Sequence, residues 1–150
     1  KYVIVRASNP YGPRQRVDGL QGVIASFLSK TIRGESIEVW GDGKSVRDYI
    51  YIDDLTDCLM KLICNEDLTG VYNVGSGAGH NVIEIIDAIR RVTGLNPTVL
   101  FGPSSKGAVS STFLDISRVK HDLSWSPNTS LDEGIEKYYH WIRASSSYND

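Results

Sequence analysis

The sequence predicts an α/β fold in which short strands and amphipathic helices alternate along the chain. Residues 2–6 form a mostly apolar run, which is typical of a strand buried on both faces in a parallel sheet. Later segments carry apolar residues at helical spacing, most clearly residues 20–32, 82–92 and 131–142. Because only residues 2–6 resemble a central strand, the rest of the chain is expected to form a small lobe of short strands and helices.

The helix boundaries are marked by capping and breaking residues. Gly34 is expected to end the first helix, and Asp53 and Asp54 to cap a second that runs to about residue 63. Gly94 is expected to close the helix over residues 82–92, and Asp115 to be the N-cap of a short helix over residues 115–123. Further strands are predicted at residues 37–40, 49–52, 71–74 and 97–101.

Residues 34–51 combine two β runs with a D-G turn and a lone arginine. The pattern predicts a hairpin between residues 37–40 and 49–52. On such a hairpin, Trp40 and Tyr49 can sandwich a ring, and Arg47 can clamp a phosphate. In the alternative interpretation, the two aromatic residues pack in the core and Arg47 pairs with Asp48 or another carboxylate.

Composition narrows the class of protein. The chain has 150 residues, of which 41% are hydrophobic and 23% charged, which is ordinary for one globular domain. A net charge of -2 argues against nucleic acid or an anionic membrane as partner. The sequence shows no membrane span and no signal peptide. Because the chain starts with Lys1 directly before a strand, a missing upstream segment is expected.

The two cysteines, Cys58 and Cys64, fall on one predicted helix. Six helical residues span roughly 9 Å, which is too far for a disulfide. Free thiols without an export signal favour a reducing cytoplasm.

A glycine-rich segment, residues 75–79, lies between a predicted strand and a predicted helix. Two interpretations stay open: the loop cradles a phosphate or nucleotide, or it is a plain turn with Ser76 or Asn81 as helix cap. It is not a dinucleotide fingerprint, because its spacing is not G-x-G-x-x-G.

Four motifs occur in a characteristic order: SNPYGP at residues 8–13, WGDG at 40–43, RDYIYIDD at 47–54 and YNVGSG at 72–77. In this order they resemble the C-terminal part of the extended short-chain dehydrogenase/reductase superfamily, in particular the NAD-dependent nucleotide-sugar epimerases and dehydratases such as UDP-glucose 4-epimerase. The resemblance implies the last part of a Rossmann-type parallel sheet with an active-site loop (residues 1–15), followed by a small mixed α/β substrate-binding lobe (residues 16–150).

The resemblance also implies roles for individual residues. Asn9 and Arg47 would bind the diphosphate of a nucleoside-diphosphate sugar, and Pro10 would lie beside the nicotinamide of NAD. Trp40 would stack on the base, and Tyr49 would lie near the ribose.

One loop departs from the family pattern. By resemblance, the backbone of residues 37–39, including Val39, would face the base edge. In a separate loop, before the final short helix, relatives carry an R-x-G-D-like motif. Here Ser105 stands at the arginine position and Ala108 at the acidic position. Lys106 is the candidate replacement, although an ammonium lacks the planar fork of a guanidinium.

The catalytic signature of the family is absent from this sequence. No Tyr-x-x-x-Lys pair occurs, and the N-terminal glycine fingerprint is missing, so no catalytic residue is assigned. The three histidines show no metal spacing. The resemblance implies the substrate-binding fragment of an NAD-dependent epimerase or dehydratase, which is expected to be inactive alone. Relatives often pair as dimers, so the intact protein is a candidate homodimer. A ketoreductase of the same superfamily and a non-catalytic scaffold are the alternatives.

Overall fold

The computed structural model describes residues 1–16, 22–103 and 110–146. The described residues form these helices: α1 Val23–Ile32, α2 Ile52–Ile63, α3 Val82–Thr93, α4 Ser117–Leu123 and α5 Leu131–Ser146. They form these strands: β1 Val3–Ala7, β2 Asn9–Tyr11, β3 Ile37–Trp40, β4 Val46–Arg47, β5 Tyr49–Tyr51, β6 Gly70–Val74, β7 His80–Asn81, β8 Val99–Gly102 and β9 Ser111–Thr112. The predicted α/β fold is confirmed.

Parallel pairing dominates the strands. β1 pairs with β6 from Val3 opposite Gly70 to Ala7 opposite Val74. β2 pairs with β5, with Asn9 opposite Tyr49, and β3 pairs with β8. β4 lies between β7, which is antiparallel to it, and β9, which is parallel to it. These pairings bring the ends of β1, β4, β5 and β6 to one part of the molecule.

The predicted hairpin is wrong. β3 and β5 flank a turn in which Gly41 and Gly43 both have positive φ, but the two strands do not pair with each other. β3 hydrogen-bonds β8, and β5 hydrogen-bonds β2, because each finds a parallel neighbour that comes from a distant part of the chain. The D-G pair therefore marks a real turn, but not a two-stranded ribbon.

Two hydrophobic clusters hold the described residues together. The first is built on the inner faces of α1, α3 and α5 with β3 and β5, and includes Leu28, Ile37, Ile86 and Tyr138. The second lies between α2, α4 and β6, and includes Cys58, Tyr72 and Trp125.

The outer side of β1 does not match its prediction. Val3 and Val5 pack against the second cluster, whereas Ile4 is 48% exposed. Burial on both faces would need a further layer over Ile4, and the described residues provide none there.

The helix ends agree with the sequence in part. Asn81 caps α3 in a capping box with Glu84, and Gly94 ends that helix with φ +68°, as predicted. By contrast, Asp53 and Asp54 lie inside the first turn of α2 rather than at its N-cap, which is Tyr51. The N-cap of α4 is Ile116 rather than the predicted Asp115. The Asp115 carboxylate accepts a hydrogen bond from the amide of Ser117, the first residue of that helix.

Both cysteines are free thiols, Cys58 buried and Cys64 exposed, as predicted. Within the described ranges, no helix has the length and apolar character that crossing a bilayer demands.

Candidate functional site

A small cavity lies where β2 and β5 run side by side. Asn9, Pro10 and Tyr49, all predicted site residues, line a volume of about 220 Å³. The rest of its lining consists of Tyr11, Gly22, Val23 and Ile24. The parallel register that puts Asn9 opposite Tyr49 explains why residues 40 positions apart in sequence meet here.

The N-terminus of α1 also reaches this cavity. Its N-cap is Gly22, which has φ +97° and no side chain that can accept a hydrogen bond. The amide groups of a first helical turn need an acceptor from elsewhere, and the helix dipole favours a negative one. The wall formed by Gly22 and Val23 therefore suits an anion, a feature that the sequence analysis missed.

Asn9 is fixed by the backbone of the β4–β5 junction. Its amide N–H and its side-chain Nδ2 donate to the carbonyl oxygen of Asp48, at 3.1 and 2.7 Å. This orients the side chain at the start of β2, where it borders the cavity.

Arg47 has no carboxylate partner among the described residues. Its Nη1 donates to the carbonyl oxygen of Val46 at 2.7 Å, and its side chain is half-buried. In the β7–β4–β9 sheet, His80 and Thr112 are its register neighbours. The alternative in which Arg47 pairs with Asp48 is wrong, because the Asp48 carboxylate is engaged elsewhere.

Tyr49 is close enough to Arg47 to respond to its charge. Burial raises the pKa of the Tyr49 phenol, and the positive charge of Arg47 partly offsets that rise. Residues two apart in an extended segment point to the same side, so the phenol and the guanidinium share a side of the β4–β5 segment.

Trp40 and Val39 lie on β3, outside the lining of the Asn9 cavity. Trp40 is 73% exposed at the end of β3, opposite Gly102, so the alternative of a core aromatic is wrong. Val39 is buried. Among the described strands β3 pairs only with β8, so its other edge can offer backbone groups to a ligand. Neither Trp40 nor Arg47 lines the cavity of Asn9, and a common cleft for these two residues stays a prediction.

The glycine loop wraps an internal carboxylate. The backbone amides of Ser76 and Gly77 donate to Asp48 at 2.8 and 3.2 Å, and the Ser76 hydroxyl donates at 2.7 Å. Of the two caps considered for α3, Asn81 is the one used. A role of the loop in lining a nucleotide stays a prediction. Ser105, Lys106 and Ala108 lie outside the described residues.

The N-terminal half of the chain decides the family. Residues 1–75, which contain Asn9, Asp48 and Arg47, match the model of the NAD-dependent epimerase/dehydratase family. The chain belongs to this family.

Known members of the NAD-dependent epimerase/dehydratase family align with almost all of the chain. The dTDP-4-dehydro-6-deoxyglucose reductase of Escherichia coli is 36% identical over 143 residues, which are 95% of this chain and 45% of the relative. The crystal structure of the Thermotoga maritima UDP-glucose 4-epimerase with UDP-glucose superimposes with a TM-score of 0.90 at 34% identity, covering 97% of this chain and 47% of that one. The Thermus thermophilus UDP-glucose 4-epimerase, in complex with NAD, gives a TM-score of 0.86 at 31% identity, covering 97% and 47%.

These relatives establish the type of fold. Their close superposition confirms the expected fold class, the last part of a Rossmann-type parallel sheet with a small mixed α/β lobe. The chain spans about half the length of the relatives that it matches.

Proposed function

We propose that this chain is the substrate-binding half of an NAD-dependent enzyme that epimerises or dehydrates a nucleoside-diphosphate sugar. In this role it holds the nucleoside diphosphate, while a cofactor-binding half performs the redox chemistry. The observation that carries the proposal is Arg47, a guanidinium without a carboxylate partner in the described part of the chain, placed beside Tyr49 near the Asn9 cavity.

Groups that line the cavity, together with Arg47 near it, suit a diphosphate. Arg47 offers a planar fork of donors, which matches phosphate oxygens in two-pronged fashion. The N-terminus of α1 adds amide donors and a partial positive charge at Gly22. Asn9 adds an amide side chain at the mouth of the same cavity. Together the guanidinium and the helix N-terminus offset much of the negative charge that a pyrophosphate linkage brings.

Base and ribose extend from the diphosphate in this proposal. Trp40 gives the base an exposed indole for stacking, and the backbone of Glu38, next to Val39, lies on the unpaired edge of β3 and can meet the base edge. Tyr49 contacts the ribose. Lys106 supplies a positive charge in place of the arginine that the family carries in that loop.

The family is NAD-dependent, and the carboxyl end of β1 fits one edge of that cofactor. Ser8 Oγ is buried there and has no hydrogen-bond partner among the described residues. Such an unpaired hydroxyl, next to the rigid Pro10, suits the polar edge of a nicotinamide. When bound, NAD supplies the acceptor and donor of hydride. This chain binds the remote half of the substrate and so orients the sugar for that transfer.

A titration of this chain with UDP, dTDP and GDP, followed by NMR chemical shifts and calorimetry, tests the proposal. We expect at least one diphosphate to bind, with shifts at residues 9, 22, 47 and 49. Arg47→Ala is expected to weaken binding by about 10- to 100-fold, because a charge-assisted hydrogen bond is lost. Arg91→Ala is the matched control, since Arg91 is held by Asp132 on α5 and lies outside the cavity. Absence of binding by the wild-type chain would refute the proposal.

A ketoreductase is the second candidate, and the 36% identity to the Escherichia coli reductase favours it. The two activities differ in cofactor balance. An epimerase returns the hydride and needs no added nicotinamide, whereas a reductase consumes one reduced nicotinamide per product. Cofactor consumption by the lobe assembled with its cofactor-binding half therefore separates them.

A further inference from the structure

Asp48 is the most heavily bonded side chain near the candidate site, and its side chain touches no ligand in the proposed function. It is 1% exposed. Its Oδ1 accepts from the amide and the hydroxyl of Ser76, at 2.8 and 2.7 Å. Its Oδ2 accepts from the amides of Gly77 and Leu114, each at 3.2 Å. Four donors therefore satisfy a buried negative charge that would otherwise be costly.

These bonds join parts of the chain that are far apart in sequence. The carboxylate ties β4 and β5 to the glycine loop after β6 and to Leu114, which follows β9. The backbone carbonyl of Asp48 accepts one hydrogen bond from the amide and one from the Nδ2 group of Asn9, at the start of β2. One residue thus fixes four segments, three of which carry candidate ligand groups or lie directly beside them.

The direction of the Asp48 side chain sets the direction of its neighbours. Alternate residues of an extended segment point to opposite sides. With Asp48 turned inward to the loop, Arg47 and Tyr49 are turned together to the other side. The charge effect of Arg47 on the Tyr49 phenol agrees with that placement.

The same bonds keep Arg47 available. A carboxylate adjacent in sequence is the nearest anion that could pair with the guanidinium, and pairing would cancel the charge that a phosphate needs. Because amide and hydroxyl donors from two loops occupy both oxygens of Asp48, Arg47 bonds only a backbone carbonyl among the described residues.

We infer that Asp48 is a positioning residue: by binding the glycine loop and Leu114 it directs Arg47, Tyr49 and Asn9 to the ligand and leaves the guanidinium unpaired. The inference rests on the proposed function, since it assigns the ligand side to a nucleoside diphosphate.

The test compares two buried aspartates. Asp48→Asn keeps the size of the side chain but turns one acceptor oxygen into a donor group that faces other donors. Asp54→Asn is the matched control, because Asp54 is also buried and accepts two backbone amides, those of Asn128 and Thr129, at 3.2 and 2.9 Å. We expect both variants to unfold at lower temperature. At a temperature below the unfolding transitions of both variants, we expect Asp48→Asn to weaken UDP or dTDP binding by about 10-fold or more. We expect Asp54→Asn to weaken it by less than about twofold.

A double variant separates positioning from general loosening. If Asp48 acts through Arg47, Asp48→Asn costs little more binding once Arg47→Ala is present, whereas independent effects would add. Ser76→Ala is the milder second variant, since it removes one donor to Oδ1 and leaves the backbone bonds. If Asp48→Asn fails to fold, Ser76→Ala takes its place in the test. We expect Ser76→Ala to weaken binding by about two- to fivefold.

The outcomes distinguish the two proposals. If the wild-type chain binds neither UDP nor dTDP, the proposed function is wrong and the role of Asp48 falls with it. If the wild type binds and Asp48→Asn binds equally well, or if its loss adds fully to that of Arg47→Ala, only the positioning role is overturned.

Discussion

The two ends of β1 lie in contrasting surroundings. Beyond its carboxyl end, the Asp48 carboxylate is enclosed and all its bonds come from the chain itself. At its amino end, Tyr2, just before β1, and Ile63 of α2 are each 72% exposed. We call the surface that these two residues form with Val3 and Val5 the β1–α2 face. It borders a groove of about 930 Å³ that is lined partly by apolar side chains.

The contrast separates a part of the lobe whose buried polar groups are satisfied within the chain from a part whose apolar side chains are exposed. The polar site is built from turns and loops that are distant in sequence, and hydrogen bonds within the chain satisfy its buried carboxylate. The β1–β6 pair, by contrast, is a piece of parallel sheet, and parallel sheets are usually covered on both faces. More than half of each relative described above lies outside the part that this chain matches.

The largest effect is expected at Gly75, where the loop passes closest to Asp48. A Cβ at this position would lie 2.5 Å from Asp48 Oδ2 and 3.0 Å from Ser8 Oγ. Gly75→Ala must therefore displace the carboxylate from its donors, and we expect a loss of about 3 kcal/mol in the free energy of unfolding. Urea denaturation measures the loss, and UDP titration should show weaker binding.

Gly102→Ala is the control for that substitution. A Cβ at Gly102 would meet its nearest atoms at 3.8 and 3.9 Å, which is ordinary van der Waals contact. The expected change is less than about 1 kcal/mol. Equal stability of Gly75→Ala and wild type would show that the Asp48 junction tolerates movement, and would remove the contrast drawn above.

An intermediate effect on the free energy of unfolding is expected from the Cys58 thiol, which lies beneath the β1–α2 face. Burial, followed by the negative charge of Asp57, raises the pKa of the Cys58 thiol from 9.0 to about 11. The folded state thus favours the neutral thiol, so this stabilisation is complete below pH 9 and is lost as the pH rises from 9 to 11. The loss amounts to about 2 to 3 kcal/mol.

Denaturation of wild type and Cys58→Ala between pH 8 and 11 isolates that contribution, because both proteins share the same tyrosines. The advantage of the wild type over Cys58→Ala should shrink across this range. A difference that stays constant with pH would mean that α2 opens easily beneath the exposed face.

Local sequence signals predicted much of this structure. The caps of α3 depend on neighbouring residues only: Gly94 was predicted, and Asn81 was one of the two N-caps considered. The alternation of buried Ile37 and Val39 with exposed Glu38 and Trp40 is likewise readable from the strand itself. Asn9, which the motif singled out, lines a cavity, and its role in binding a diphosphate stays a prediction.

Features that depend on distant partners could not be predicted in the same way. The hairpin failed because the partner of β3 is β8, and no local feature of residues 37–40 specifies that pairing. The hydrogen bonding of the Asp48 carboxylate was missed because its donors lie 28, 29 and 66 residues further along the chain. Loop amides carry no side-chain signature of their bonding, so the sequence gives no sign of an acceptor buried among them.

The smallest effect on stability, with the clearest effect on association, is expected on the β1–α2 face. Ile63 is 72% exposed in the last turn of α2, where a positive charge suits the helix dipole. Ile63→Lys should therefore change the free energy of unfolding by no more than about 0.5 kcal/mol. If the exposed strand and helix drive self-association, the same change should weaken it, since a charge would enter the contact.

Sedimentation velocity over a wide range of concentration measures this association. Leu95→Lys is the control, because Leu95 is also an exposed apolar residue, at 40%, but lies between α3 and β8 and outside the β1–α2 face. We expect concentration-dependent association of the wild type and of Leu95→Lys, and less of it for Ile63→Lys. Identical behaviour of all three proteins would mean that this face does not seek a partner, and that β1 is stable with one side open to solvent.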